Sequence, residues 1–134
     1  MLAPRELTRP NDIDEAFRAF AKTGVGGVMD FSSTPSTFDV RHRLAALDLQ
    51  FRPPMIVQSR PAYAGGLLSY GANVPDLFRR TAELVNRILR GASAADIPVE
   101  QPNVFNFVVD LRTARALAVV LLPSVLLRAT SVTE

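Results

Sequence analysis

The alternation of helical and strand-like patterns is the feature that most constrains the fold of this chain. Residues 12–22 predict an amphipathic helix, because apolar side chains recur every three or four positions and form one stripe. That stripe consists of Ile13, Ala16, Phe17, Phe20 and Ala21. A short apolar run at 25–31, a second helical pattern at 37–51 and another short run at 55–57 follow. Helices between short strands predict parallel pairing with right-handed crossovers, so the chain is expected to be α/β.

The ends of these elements are also visible in the sequence. Gly24 is placed to end the first helix in a left-handed conformation, which glycine adopts without steric cost. The run 25–31 is mostly apolar, and this is typical of a strand that is buried on both faces of a parallel sheet. We therefore expect a strand within that run, covered on both sides.

The second half of the chain contains the strongest helical pattern, at 75–90. Pro75 fits the first turn, and Asp76 complements the positive end of the helix dipole. Glu83 and Arg87 stand at a spacing that favours an ion pair, and Gly91 is placed to end the helix. The residues predicted to face inward are Leu77, Phe78, Ala82, Val85, Ile88 and Leu89.

The segments around this helix are shorter and less periodic. Residues 60–74 predict a loop with a short strand at 67–70, and residues 104–110 predict a further strand. A helix is expected at 112–121, before Pro123 interrupts the pattern. The apolar stretch 116–127 is shorter than the roughly 20 residues of a membrane span, so we interpret it as a buried helix and its connection.

Charge and cysteine content exclude several classes of function. The net charge is +2, and no run of about five or six like charges is present to form a nucleic-acid arm. The chain has no cysteine, which excludes disulfides, thiolate catalysis and cysteine-based zinc sites. The first residues lack the apolar core of a secretion signal. If the sequence is expressed as given, we therefore expect the protein to stay in the cytoplasm.

No group of residues has the pattern of a catalytic or metal site. The single histidine, His42, lies between Arg41 and Arg43 and is expected on the exposed side of a helix. One histidine without cysteine is a poor basis for a metal site, and no serine and carboxylate are spaced to join it. Asp30 stands at a strand end, where a turn or cap role is favoured. We expect no enzyme, no cofactor and no metal.

Polar side chains follow the first two strands, where an α/β sheet binds its ligands. Hydroxyl groups come after the first strand, and an amide and a guanidinium group come after the second, at Gln58 and Arg60. Such groups suit a small polar or carboxylate-bearing ligand, although ordinary loop polarity would look the same. Two tyrosine rings are expected nearby. The predicted ligand-binding residues are Ser32, Ser33, Thr34, Arg60, Tyr63 and Tyr70.

Several segments, in order and spacing, resemble a known family. They are similar to ABC-transporter substrate-binding proteins of the tryptophan-binding type. The matching segments are 64–71 (AGGLLSYG), 75–80 (PDLFRR), 85–91 (VNRILRG), 96–102 (DIPVEQP), 105–111 (FNFVVDL), 113–117 (TARAL) and 123–129 (PSVLLRA). The early region is similar too, at 5–7 (REL) and 12–20.

The resemblance implies a type I periplasmic binding fold, in which two Rossmann-like three-layer lobes close on a ligand by a hinge. This chain would form part of that fold, with a short parallel sheet. Residues 1–62 would belong to the second lobe, and residues 63–103 would cross over and supply a helix of the first lobe. Residues 104–134 would return as a strand and the C-terminal helices.

The resemblance also implies a function. The chain would be the solute-binding component, or a remnant of it, of an importer that has a permease and an ATPase, and it would work in the periplasm. Members of the family are longer, so most of the first lobe would be absent here. Helix 75–90 would then leave Leu77, Phe78 and Val85 exposed, or the chain would form a homo-oligomer. The alternative is a structural or regulatory module that does not bind ligand.

Overall fold

The computed structural model describes residues 4–5, 9, 12–30, 43–44, 46–47, 50–58 and 66–134. The α/β prediction is confirmed. The helices are α1 (Asp12–Thr23), α2 (Val74–Leu89), α3 (Leu111–Leu117) and α4 (Pro123–Leu126), and a 3-10 turn spans Ala94–Asp96. The strands are β1 (Val28–Asp30), β2 (Met55–Gln58), β3 (Leu68–Ala72), β4 (Phe105–Asp110) and β5 (Ser131–Thr133). Within the predicted 37–51 helix, the described residues 43–44, 46–47 and 50–51 are helical.

The five strands form one sheet in the order β1-β2-β3-β4-β5. Three of the neighbouring pairs are parallel, whereas β3 and β4 are antiparallel. The sheet is therefore larger than the short parallel sheet expected from the sequence, and it is mixed. Strand β5, which has only three residues, was not predicted because so short a run shows no periodicity.

One face of the sheet is covered. The register pairs β1 with β2 at Val28 and Met55, and Val57 lies on the same side of β2 as Met55. Met55 and Val57 pack in one cluster with Ile13 and Phe17 of α1, and Leu47 completes it. Burying a large apolar side chain completely contributes about 1.5–3 kcal/mol, so this cluster holds α1 and the helical residues near Leu47 to the sheet.

The opposite face is covered only in part, because the register places Val109 there beside Leu68 and Val109 is 0% exposed; we call it the open face. Its members alternate with the covered residues along each strand and stand beside one another in the register. Met29 of β1 is 57% exposed, so the expectation of a strand buried on both faces was wrong. The reason is that β1 is an edge strand with α1 packed on one side only. The open face includes Met29, Ile56, Gln58, Leu68, Tyr70, Phe105, Phe107 and Val109.

Helix α2 is well formed but has no buried residue. Asn73 caps its first turn, and Gly91 beyond its last turn has φ 99°, as predicted for a glycine that ends a helix. Phe78 is 73% exposed, so the prediction that it faces inward was wrong, whereas the exposed apolar surface expected from the resemblance is present. Glu83 pairs with Arg80 at 3.3 Å. The apolar face of α2 comprises Val74, Leu77, Phe78, Val85, Ile88 and Leu89.

The C-terminal helices are shorter than expected. Helix α3 ends at Leu117 and not at 121, because Ala118 adopts the left-handed conformation with φ 56° and closes the helix. Val120, Leu122 and Leu127 are exposed, so the interpretation of 116–127 as a buried helix was wrong. In the described part of the chain, no helix has the length and apolar character that a bilayer crossing requires.

Candidate functional site

The candidate site lies at the edge where the parallel strands end. Strands β1, β2 and β3 run in the same direction, so Asp30, Gln58 and Ala72 close one edge of the sheet. Strand β4 runs in the opposite direction and begins at that same edge with Phe105. Ligands of open α/β sheets bind beyond the carboxyl ends of the strands, so this edge is where a ligand is expected.

Of the predicted ligand-binding residues, the structure describes Tyr70. It lies in β3 directly between Gln58 of β2 and Phe107 of β4, so the sheet brings Tyr70 and Gln58 together on the open face. Gln58 is exposed at the last position of its strand. The other predicted site residues are outside the described residues, namely Ser32, Ser33, Thr34, Arg60 and Tyr63.

Tyr70 belongs to a group of three aromatic rings. Its ring stacks on Phe105 with centroids 5.7 Å apart and planes 8° apart, and the edge of Phe107 approaches it at 6.4 Å. Tyr70 and Phe105 remain 52% and 44% exposed, although each covers part of the other. Stacked rings next to a polar edge offer a flat apolar surface.

Asn73 follows β3, where the chain leaves the sheet, and it is hydrogen-bonded to the start of β4, where the chain returns. Its backbone N–H donates to the Val104 carbonyl oxygen at 2.9 Å, and its side-chain Nδ2 donates to Asn106 Oδ1 at 3.3 Å. Its Oδ1 accepts from the Asp76 backbone N–H at 3.0 Å. Sequence reasoning missed both asparagines. The Asn-Val-Pro-Asp spacing is a helix-start signal that would have identified Asn73, whereas nothing local identifies Asn106.

The titratable groups with clearly shifted pKa values lie in surface ion pairs. A hydrogen bond from Arg43 lowers the pKa of Asp14, with the Nε of Arg43 at 3.3 Å from Asp14 Oδ2. A hydrogen bond to Glu100 raises the pKa of Arg80. These pairs join exposed surface groups and do not converge on a cleft, so they have the character of structural ion pairs and not of a catalytic site.

Among the described residues, a shallow cleft lies at the opposite edge of the sheet. Phe20, Gly24, Phe51 and Arg52 contribute to its lining, before the amino ends of β1 and β2. Its volume of about 170 Å³ is well below the roughly 300–1,000 Å³ of typical small-molecule pockets. Among the residues described, no cluster of three acidic or histidine side chains could hold a metal ion. The carboxyl edge therefore remains the best candidate for ligand binding.

One family model and several solved structures match this chain. The family model described as "ABC transporter substrate binding protein" matches residues 8–133. A search of curated proteins gave no significant match. A solved conserved-domain protein from Vibrio cholerae is similar, with a TM-score of 0.81 and 20% sequence identity over 95% of this chain.

Two further solved structures have the same fold. An ABC domain from Streptococcus pneumoniae, solved in complex with L-Trp, has a TM-score of 0.74 and 23% identity over 94% of this chain. A substrate-binding protein with adhesive properties from Clostridium difficile, in its ligand-free, open form, has a TM-score of 0.66 and 18% identity over 98% of this chain. In each comparison, including that with the Vibrio protein, this chain spans 43% of the other chain.

Proposed function

Since the chain belongs to the family of ABC transporter substrate binding proteins, we propose that it captures a small polar or carboxylate-bearing solute at the carboxyl edge of its sheet. The observation that carries this proposal is the parallel run of β1, β2 and β3, which collects Asp30, Gln58 and Tyr70 near one edge. An amino acid is the ligand class that suits this edge best. The similar Streptococcus domain was solved with one, L-Trp.

The chemistry of the edge supports an amino acid ligand. The stacked Tyr70 and Phe105 rings provide an apolar surface against which a side chain could pack. The segments that follow β1 and β2 carry Ser32, Ser33, Thr34 and Arg60, whose hydroxyl and guanidinium groups are suitable donors to a carboxylate. Tyr63 would add a further aromatic ring. In this assignment the protein binds its ligand without transforming it.

We assign the chain to parts of two lobes. Residues 1–62 would belong to the second lobe, residues 63–103 would contain the crossing segment with β3 and a helix of the first lobe, and residues 104–134 would return as a strand and the C-terminal helices. This division is supported by α2, which buries none of its residues although its pattern is amphipathic. It is also supported by β3 and β4, between which the chain leaves the sheet and returns to it. In the periplasm the protein would deliver its ligand to a permease, and an ATPase would drive the import.

A ligand screen tests this function. The chain is titrated with the amino acids and with small carboxylates, and binding is followed by thermal shift and calorimetry. We expect saturable binding of at least one amino acid and a higher unfolding temperature in its presence. If the folded protein binds none of them, the assignment is wrong.

Matched variants locate the site in the same assay. Gln58→Ala and Tyr70→Ala should weaken binding, because both residues lie at the candidate edge. Gln50→Ala is the control for the glutamine, since Gln50 is exposed and precedes β2, near the opposite edge. Equal effects of Gln58→Ala and Gln50→Ala would place the ligand elsewhere.

The second candidate function is a structural or regulatory module that associates through an apolar surface. The exposed face of α2 favours it, because monomeric proteins rarely expose so much contiguous apolar side chain. The absence of any saturable ligand, together with stable association of the folded chain, would favour this second function.

A further inference from the structure

We propose that Asn106 is a positioning residue for the ligand site, and that it acts through its side-chain hydrogen bond with Asn73. The bond ties the start of α2 to β4 and keeps the rings of Tyr70 and Phe105 stacked on each other. Neither asparagine needs to touch the ligand for this role. The inference rests on the proposed function, because the surface that the bond holds in place is the proposed ligand surface.

The strand register explains how the two asparagine side chains meet. Gly71 of β3 stands opposite Asn106 of β4, and Asn73, still extended at φ −72° and ψ 99°, lies two residues beyond Gly71. Residues two apart along a strand share a face, so Asn73 and Asn106 are diagonal neighbours on one face of the antiparallel pair. Because Gly71 has no side chain to stand between them, the two amides meet, with Asn73 Nδ2 at 3.3 Å from Asn106 Oδ1.

The other hydrogen bonds of Asn73 make its contact with Asn106 a restraint on orientation. The backbone N–H of Asn73 donates to the Val104 carbonyl oxygen at 2.9 Å, and its Oδ1 accepts from the Asp76 N–H in the first turn of α2. The bond to Val104 alone would let the start of α2 rotate relative to β4. The bond to Asn106 lies beside it and opposes that rotation, so the helix start and β4 keep a fixed orientation.

The aromatic rings of the candidate site lie directly next to this contact. Asn106 stands between Phe105 and Phe107 in β4, and both of these rings contact Tyr70, with centroids 5.7 Å and 6.4 Å away. Successive side chains of a strand point to opposite faces, so the Asn106 amide and the two rings occupy opposite faces of one short piece of backbone. A change of backbone direction at Asn106 therefore moves both rings relative to Tyr70.

The stacked rings offer one flat surface only while β3 and β4 keep their relative orientation, since Tyr70 and Phe105 belong to different strands and their planes are 8° apart. A ligand that packs on this surface binds the stacked form. If only a fraction of the molecules is stacked, the apparent dissociation constant rises by the inverse of that fraction. The Asn73–Asn106 bond is partly buried, so it favours the stacked form before any ligand arrives.

Carboxylates in place of both amides open the contact and leave the cap of α2 intact. In Asn73→Asp or Asn106→Asp alone, the remaining amide still donates to the carboxylate. In the double variant both side chains only accept and repel each other, while an oxygen at position 73 still caps the helix. Calorimetric titration of the folded chain with each amino acid in turn measures the effect. We expect at most about a twofold loss of affinity in each single variant and about a fivefold loss in the double variant, the factor of one typical hydrogen bond.

A matched control adds the same two charges at other asparagines. Asn86 of α2 and Asn103 before β4 are both exposed, and neither lies at the contact. Asn86→Asp combined with Asn103→Asp should therefore leave the affinity unchanged.

The ring stack is also observable without any ligand. The chain has two tyrosines and no tryptophan, so Tyr63→Phe leaves Tyr70 as the sole tyrosine. Its near-ultraviolet circular dichroism depends on fixed packing of the ring. In this background the Asn73→Asp/Asn106→Asp double variant should lose most of the tyrosine signal, whereas the single variants and the charge control should keep it. Asn106→Ala removes the acceptor without adding charge, and it should show the same loss if the double variant does not fold.

The inference requires the double variant to lose both the tyrosine signal and the affinity. Loss of only one of them, or of neither, overturns it, and so does an equal loss in a single variant or in the charge control. If no amino acid binds the unaltered chain, the proposed function fails, and the tyrosine signal alone then decides whether the Asn73–Asn106 bond holds the rings.

Discussion

Helices α1 and α2 have similar patterns but different surroundings. Both alternate apolar and charged residues with helical periodicity, and a glycine with positive φ follows each. In α1, Ile13, Ala16 and Phe17 of the apolar stripe are buried, and Phe17 is only 3% exposed. In α2 none of the residues is buried. An amphipathic pattern therefore predicts that a helix requires a covering surface. It does not predict which part of which polypeptide provides that surface.

The largest expected difference between the helices concerns their phenylalanines. Phe17→Ala should lower the free energy of unfolding by about 3–5 kcal/mol, because it leaves a cavity in the cluster with Met55 and Leu47. Phe78→Ala should change the stability of the monomer by no more than about 0.5 kcal/mol, since its side chain is already in water. Urea unfolding at high dilution measures both. Equal losses would mean that α2 is covered within one chain.

A second pair of residues tests the two faces of the sheet. Met55→Ala on the covered face should destabilise the chain by about 2–5 kcal/mol, because Met55 is 3% exposed within the core cluster. Met29→Ala on the neighbouring strand should cost less than about 0.5 kcal/mol, since Met29 is exposed on the open face. The same dilute urea titration compares them. A large loss for Met29→Ala would show that the open face is covered in the monomer.

The start of α2 should be sensitive to Asn73. Asn73→Ala removes the cap on the Asp76 N–H and the bond to Asn106, so we expect a loss of about 1 kcal/mol. Asn73→Asp keeps the capping oxygen and should restore most of the loss. Asn86→Ala within α2 serves as the control and should be neutral or slightly stabilising. Hydrogen exchange of the first turn of α2 gives a local readout, and unchanged protection in Asn73→Ala would contradict the prediction.

The smallest effect concerns the ion pair that joins α1 to the helical residues at 43–44. Arg43 lowers the pKa of Asp14 in the folded state, so the pair stabilises the fold above the unfolded pKa of about 3.9. This contribution is lost as the pH falls through the folded pKa of Asp14. In Asp14→Asn, the unfolding temperature should therefore fall slightly less steeply as the pH is lowered through this range. Thermal unfolding at a series of acidic pH values measures this. If the acid dependence of the unfolding temperature is the same in the variant, the Asp14–Arg43 pair does not stabilise the fold.

The elements that the sequence predicted correctly are those with a local signal. Periodicity found α1 and α2 to within one or two residues, and Gly24 and Gly91 marked their ends. Burial was predicted less well. The apolar character of 25–31 could not reveal that Met29 faces water, because the burial of a strand depends on what packs against it. The antiparallel pairing of β3 with β4 is likewise non-local, and the sequence contains no direct signal for it.

In the candidate site, too, features with a local sequence signal were predicted and features that depend on distant residues were not. The rule that ligands bind at carboxyl ends of strands placed Tyr70 near the edge, and the sheet brings it beside Gln58. The stacking of Tyr70 on Phe105 joins residues that are far apart in sequence, so no local pattern could predict it. Asn106 was missed for the same reason, since its partner Asn73 belongs to a different strand connection.

The hydrogen bond between Asn73 and Val104 has a mechanical consequence. The segment 73–104 is attached to the sheet at two points, and these points are bonded to each other beside the antiparallel ribbon of β3 and β4. A body attached in this way resists sliding and stretching, because either displacement would break the bond. The segment 73–104 can therefore move relative to the sheet mainly when the β3–β4 ribbon twists or bends as one unit.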